Sequence, residues 1–208
     1  MFHDIIRDDG AICDDYALRF NLFKQFVEST IAKGFKFIST DELLNNWNKT
    51  DRVCVLTFDD GYQSVFTRVA PLLSEMKIPF TSYITTSFIN NPGYISKNEL
   101  EELSQNPFCT IGMHSHGHLK FRFETQKTLS DDFIKCRTIL EDITGKQPQH
   151  YAFPYGSFYA VSRSNRKLIK NFGVKSIAMT QQIKLSPSDI EEPYCLPRVN
   201  IPWRIFVI

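Results

Sequence analysis

Val53-Cys54-Val55-Leu56-Thr57-Phe58 is a continuous apolar run that ends in Asp59-Asp60-Gly61. A run without alternation reads as a strand buried on both faces, as in the middle of a parallel sheet. Gly61 lets the backbone turn sharply where the strand stops. Two adjacent carboxylates at the end of an apolar strand repel each other, so a cation, a proton or water must resolve them. Taken alone, the triplet fits an ordinary solvated turn as well as a site.

Working outward from this strand, helices and strands alternate. Upstream, Phe2 to Ile6 reads as a short strand. Leu18 to Lys33 is helical, with Phe20, Phe23, Val27 and Ile31 on one face. Gly34 stops that helix, residues 35–39 alternate as a strand, and Thr40 is placed to cap a helix over Asp41 to Trp47. Downstream, a helix is expected from Ser64 to Met76 and a strand from Phe80 to Thr85. Ser96 and Glu99 have the spacing of a capping box that opens a helix through Ser104. Thr110 to Met113, Tyr151 to Phe153 and Lys175 to Thr180 read as strands, and Lys127 to Ile143 and Val161 to Phe172 as helices. Residues 181–194 read as a polar loop and Leu196 to Ile201 as a last strand. The alternation implies parallel βαβ units. Seven or eight of them would close into a small, irregular barrel; an open doubly wound sheet is the alternative. Both architectures place ligands at the carboxyl ends of the strands. With no internal repeat or low-complexity linker, residues 1–208 read as a single domain.

A formal net charge of +1 gives no field that draws the chain to nucleic acid or an anionic membrane. No apolar run approaches the ~18 residues of a membrane span. The five cysteines, Cys13, Cys54, Cys109, Cys136 and Cys195, show neither a C-x-x-C pair nor a disulfide framework, which suits a reducing compartment. Met1-Phe2-His3-Asp4 does not begin a signal peptide. The expected location is therefore the cytoplasm.

Three of the five histidines fall within His114-Ser115-His116-Gly117-His118, directly after a predicted strand. A spacing of four brings His114 and His118 to one face of a turn, where both imidazoles can reach one ion. The cluster lies on the same rim as Asp59 and Asp60. One carboxylate and two imidazoles would leave a metal with open positions, as at a catalytic site. This donor set suits Zn²⁺, Co²⁺, Ni²⁺ or Fe²⁺ better than Mg²⁺ or Ca²⁺, with zinc expected first. The other carboxylate is then free to act as a general base.

Thr57-Phe58-Asp59-Asp60-Gly61 followed by His114-Ser115-x-x-His118 resembles the polysaccharide deacetylases, the NodB-homology enzymes of carbohydrate esterase family four. The resemblance implies Asp59 as base, Asp60, His114 and His118 as metal ligands, and a distorted (β/α) barrel. The family's R-x-P-Y motif aligns with Ala152-Phe153-Pro154-Tyr155, and the resemblance implies the Tyr155 N–H as an oxyanion donor. Two features depart from the family. Ala152 stands where the motif has Arg, and no histidine follows His150 to serve as the late general acid. His3 is the candidate acid, since Phe2-His3-Asp4 resembles the N-terminal segment of a branch with permuted motifs. Arg198 could replace the missing Arg and orient Asp59. Tyr62, Pro154 and Arg198 are the candidates for the substrate side of the site. His116 is read as a neighbour of the ligands rather than a ligand, His150 as structural, and Trp47 and Trp203 as packing.

The function expected is metal-dependent removal of an N-acetyl group from an amino sugar, releasing acetate, in a cell-surface polysaccharide or O-antigen precursor. The alternatives are an amidohydrolase of small non-sugar amides and a non-catalytic carbohydrate-binding relative. The exact sugar and the oligomeric state are not legible in the sequence.

Overall fold

The computed structural model describes residues 1–10, 16–48 and 51–201. Cys13 and Trp203 lie outside the described residues. In chain order the elements are β1 (Ile5–Ile6), β2 (Leu18–Arg19), α1 (Phe20–Ala32), β3 (Lys36–Phe37), α2 (Thr40–Asn46), β4 (Val53–Cys54), β5 (Leu56–Phe58), α3 (Ala70–Glu75), β6 (Phe80–Ile84), α4 (Lys97–Ser104), β7 (Cys109–Met113), α5 (Gln126–Thr144), β8 (His150–Ala152), α6 (Arg163–Asn171), β9 (Ser176–Ala178) and α7 (Pro187–Glu191). Strands β5 to β9 form one sheet, parallel throughout and in sequence order. Two short parallel ladders, β1 with β2 and β3 with β4, flank it.

The sheet curls into a distorted half-barrel whose ladders do not close. Irregular backbone lies across the opening. On the β5 edge, the Phe2 N–H donates to the Thr57 carbonyl at 2.9 Å and the Asp59 N–H to the Phe2 carbonyl at 3.0 Å. On the β9 edge, Leu196 and Met179 donate to Ile177 and Leu196 carbonyls, each at 2.8 Å, and the Ile201 N–H reaches the Met1 carbonyl at 3.2 Å. Residues near the start of the chain and residues near position 200 thus meet beside Asp59.

Ladder partners share a face of the sheet. Phe58, Phe80, Ile84, Met113, Tyr151 and Ile177 lie in the main apolar core with the helices. The opposite, inner face carries smaller and more polar residues: Thr57 beside Thr81, Tyr83 beside Gly112, and Ala152 beside Ala178. Tyr83, Ala152 and Ala178 form a separate small cluster there.

Several local expectations change. The apolar run 53–58 serves two ladders: Val53 and Cys54 pair with β3, whereas Leu56 to Phe58 pair with β6. The N-cap of α2 is Ser39, whose Oγ accepts the Glu42 N–H at 3.0 Å. Thr40 instead hydrogen-bonds Thr81 at 2.9 Å between their hydroxyls. The helix expected from Ser64 begins as a π-helical stretch, Val65–Val69, because Pro71 has no N–H to give the preceding turn. The polar loop 181–194 contains α7. Among the described residues, the segment 196–201 makes one bridge, Leu196 with Ala178, and no strand, since Pro197 cannot donate to a ladder. The capping box of α4, in contrast, has both arms, and Gly145 ends α5 at φ 68°.

Candidate metal centre

Strand β5 delivers Asp59 and Asp60 to the carboxyl edge of the sheet. Asp60 and Gly61 both adopt left-handed backbone, φ 73° and 84°, so the chain leaves the strand in a tight reversal. Two strands over, the His114 N–H extends the β6–β7 ladder by donating to the Ile84 carbonyl at 2.9 Å. Ser115 and His118 then turn the chain through left-handed φ values of 71° and 51°.

These turns converge. His114 Nε2 lies 3.4 Å and His118 Nε2 3.2 Å from Asp60 Oδ1. One ligand atom from each of the three residues lies within 4.8 Å of the others. Asp60 Oδ1 is buried and, among the described residues, has no hydrogen-bond partner. His114 Nδ1 faces the Ala152 carbonyl at 2.8 Å. A carbonyl only accepts, so in the neutral ring Nδ1 carries the proton and Nε2 presents its lone pair to the gap. An orphaned carboxylate oxygen facing two imidazoles fits one divalent cation. Burial works against protonating His114, but Asp59 and Asp60 outweigh it and hold its pKa above the ordinary imidazole value.

Asp59 is 1% exposed and is held from another direction. Arg198 Nη1 and Nη2 donate to Asp59 Oδ1 and Oδ2, both at 2.7 Å. The same guanidinium reaches the Thr57 hydroxyl and the Met179 carbonyl, each at 3.2 Å, and lies 5.3 Å from the centroid of the Tyr83 ring. Burial pushes the Asp59 carboxyl up, but Arg198 and then His114 overcome this and hold it below the ordinary carboxylate value. Asp59 is therefore an ionised carboxylate beside, not within, the ligand cluster. Arg198 is buried on this carboxylate rather than exposed at the mouth. Ala152, in the position of the motif Arg, packs with Tyr83 and Ala178.

His3 is half-buried, its ring packs on Tyr16 at 4.8 Å, and its buried Nδ1 has no hydrogen-bond partner among the described residues. Burial lowers its pKa, although Asp59 and Asp60 pull the other way. Tyr155 has φ 60° and is 51% exposed. Its ring packs edge-on to His118 at 4.9 Å. Pro154 is buried. Tyr62 stacks on Tyr94 at 4.9 Å, Phe88 follows at 4.6 Å, and Phe88 meets the His118 ring at 5.7 Å. An aromatic arc thus runs from Tyr62 to Tyr155 along the metal site. Phe88 and Tyr94 escaped the sequence reading; their one signal was position, in the loop that follows a strand at the ligand end of the sheet. His116 turns away from the gap, with Nδ1 on the Thr86 hydroxyl at 2.9 Å. His150 lies at the amino end of β8, bonded through Nδ1 to Ser176 Oγ at 2.8 Å.

A curled parallel sheet with a carboxylate and two imidazoles converging at its carboxyl end, and a second carboxylate left ionised beside them, defines a metal-dependent hydrolase. Residues 46–177, more than half of the chain, match the family described as Polysaccharide deacetylase, and the chain belongs to that family. It is similar to the poly-beta-1,6-N-acetyl-D-glucosamine N-deacetylases of Staphylococcus epidermidis and Staphylococcus aureus. Each is 23% identical over 203 residues, which cover 90% of this chain and 68% of the relative. Among solved structures, IcaB from Ammonifex degensii superposes with a TM-score of 0.83 at 17% identity, covering 96% of this chain and 89% of that one. The Streptococcus pyogenes deacetylase PplD gives 0.84 at 17% identity, covering 97% and 90%. These two likenesses concern the fold.

No helix among the described residues is long and apolar enough to cross a membrane.

Proposed function

We propose that this chain, as one deacetylase domain, removes N-acetyl groups from hexosamine units of a polymer of the poly-β-1,6-N-acetylglucosamine kind. The observation that carries the reading is the pairing of the Asp60–His114–His118 cluster with a separate ionised carboxylate, Asp59. The names of the staphylococcal relatives support the choice of sugar.

Asp60, His114 and His118 would hold the cation, with zinc the metal proposed. When bound, the ion supplies Lewis-acid polarisation of the acetamide carbonyl and a lowered water pKa. Asp59 takes the proton from the attacking water, and Arg198 keeps that carboxylate ionised and aimed. The Tyr155 N–H, which has no hydrogen-bond partner among the described residues, donates to the developing oxyanion. His3 gives a proton to the departing nitrogen. The aromatic arc of Tyr62, Tyr94 and Phe88 offers apolar faces against which a sugar ring can lie.

A second reading places the acetylated sugar on a precursor in the cytoplasm. The unpaired thiols of Cys54, Cys109, Cys136 and Cys195 favour it.

The test measures metal content by elemental analysis and acetate release from three substrates: poly-β-1,6-N-acetylglucosamine oligomers, a nucleotide-linked N-acetylhexosamine, and a simple N-acyl amine. Release from the oligomers, abolished by chelation and restored by zinc, is expected. Release from the nucleotide sugar alone supports the second reading. Release only from the simple amide, or glycan binding without acetate in the presence of metal, overturns both.

A further inference from the structure

We infer that Asp132 is a positioning residue for the metal centre: its carboxylate, set on a core-facing helix, fixes the backbone of the loop that carries both histidine ligands. The inference rests on the metal-site reading above.

Asp132 lies on α5 among Leu129, Phe133 and Cys136, all buried, and is itself 8% exposed. A carboxylate on that face is unfavourable unless hydrogen-bond donors surround it. Three do, and all come from the loop between His114 and His118. Asp132 Oδ1 accepts the Ser115 hydroxyl at 2.7 Å and the His116 N–H at 3.0 Å. Asp132 Oδ2 accepts the Gly117 N–H at 2.7 Å. Left-handed backbone at Ser115 turns successive N–H groups toward one anion, the geometry of a backbone nest. On its carbonyl side the same loop is held by the β6 connection: Thr86 N–H to the Ser115 carbonyl at 3.3 Å and Ser87 N–H to the His116 carbonyl at 3.0 Å.

The two ligands differ in what else supports them. His114 continues a strand and has the Ala152 carbonyl behind its ring. Around the His118 ring, the contacts among the described residues are Asp60, His114 and the aromatic rings of Phe88 and Tyr155. The placement of His118 therefore depends on the loop backbone, and Asp132 is the group that grips its middle. Gly117 belongs to the same arrangement: a Cβ there would lie 3.2 Å from Leu119 Cδ2 and 3.4 Å from Asp132 Oδ2.

The experiment uses full-length protein stripped of metal, with zinc affinity measured by competition against a chromophoric chelator and thermal melting of the metal-free form recorded alongside. Asp132→Asn keeps the shape but replaces one acceptor oxygen with a donor. Ser115→Ala removes one donor and leaves the helix untouched. Asp132→Asn should weaken zinc binding by about 10- to 100-fold, the range for groups that orient metal ligands. Ser115→Ala should give a smaller loss, with the metal-free melting temperature near wild type. Saturating zinc should restore kcat of Ser115→Ala, with KM for the sugar unchanged. If both variants fold and bind zinc within twofold of wild type, the inference is overturned. If Asp132→Asn does not fold, Ser115→Ala decides: weakened affinity upholds the inference and unchanged affinity overturns it. A wild-type protein that takes up no zinc at all instead removes the metal-site reading, a result visible before any variant is made.

Discussion

Arg198 binds both oxygens of Asp59 at 2.7 Å across 139 positions of sequence, and both side chains are buried. The two parallel bonds fix the direction of the carboxylate as well as its charge. The pair places a guanidinium on Asp59 from position 198, while Ala152 packs with Tyr83 and Ala178.

Arg198→Lys keeps the charge and loses the fork. We expect kcat to fall about 100-fold, the scale of a slightly misplaced catalytic group, with metal content unchanged. Arg198→Met, which strands a buried carboxylate, should also lower stability by about 3–5 kcal/mol. Steady-state acetate release and urea unfolding read the two effects separately. A Lys variant with wild-type kcat would show that the fork is not needed.

Asp59→Asn should retain metal and lose about 10²–10⁴-fold in kcat, the usual contribution of a general base. Asp60→Asn should instead lose metal. If elemental analysis shows the reverse, the two carboxylates have been assigned the wrong way round.

Gly112→Ala tests the inner face. A Cβ there would lie 2.4 Å from Tyr83 Cδ1 and 2.6 Å from Cε1, and this ring sits 5.3 Å from the Arg198 guanidinium. Overpacking of this kind costs about 1–3 kcal/mol. Displacing Tyr83 should also loosen Arg198 and reduce kcat. Adding Tyr83→Leu should recover part of the lost melting temperature; strictly additive losses would mean that the two sites do not meet.

His3→Ala should lower kcat by about 100-fold or more if His3 supplies the proton to the leaving nitrogen, with zinc affinity and KM near wild type. Wild-type kcat in that variant would move the acid role elsewhere.

The pH dependence of stability has a contribution at the other end of the sheet. Burial lowers the pKa of His150, although Asp41, 3.5 Å from Nε2, pulls it up. The folded state therefore refuses a proton that the unfolded chain accepts near pH 6.5. The stabilisation is fully present above that pH and is lost as pH falls toward the lowered folded value, at no more than about 1.4 kcal/mol per pH unit. Lys175 and Ser176 also face this cluster, through Asp41 and His150. Urea unfolding of metal-free protein at pH 7.5 and 5.5 should show a smaller pH difference in His150→Asn than in wild type. Equal differences would rule His150 out as the source.

Much of this was legible because strand and helix periodicities are local. The alternating elements, the Ser96–Glu99 capping box and the stop at Gly145 each depend on a few neighbouring residues. The two motif loops were legible because their residue types are costly at strand ends unless something gathers them. What remained hidden depends on distant partners. The run 53–58 looks uniform, yet Val55 separates residues that pair with different strands. The five-residue α7 is too short for an apolar period. Asp132, Phe88 and Tyr94 acquire their place only when α5 and the β6 connection meet the histidine loop.

The irregular segments that lie across the opening of the half-barrel bring His3 and Arg198 to a carboxylate at position 59. During synthesis on the ribosome, Asp59 and the histidine loop emerge well before residue 198. Until that stretch emerges and docks, Asp59 has no guanidinium to hold it. The Arg198–Asp59 pair thus forms only after the metal-binding residues have all emerged.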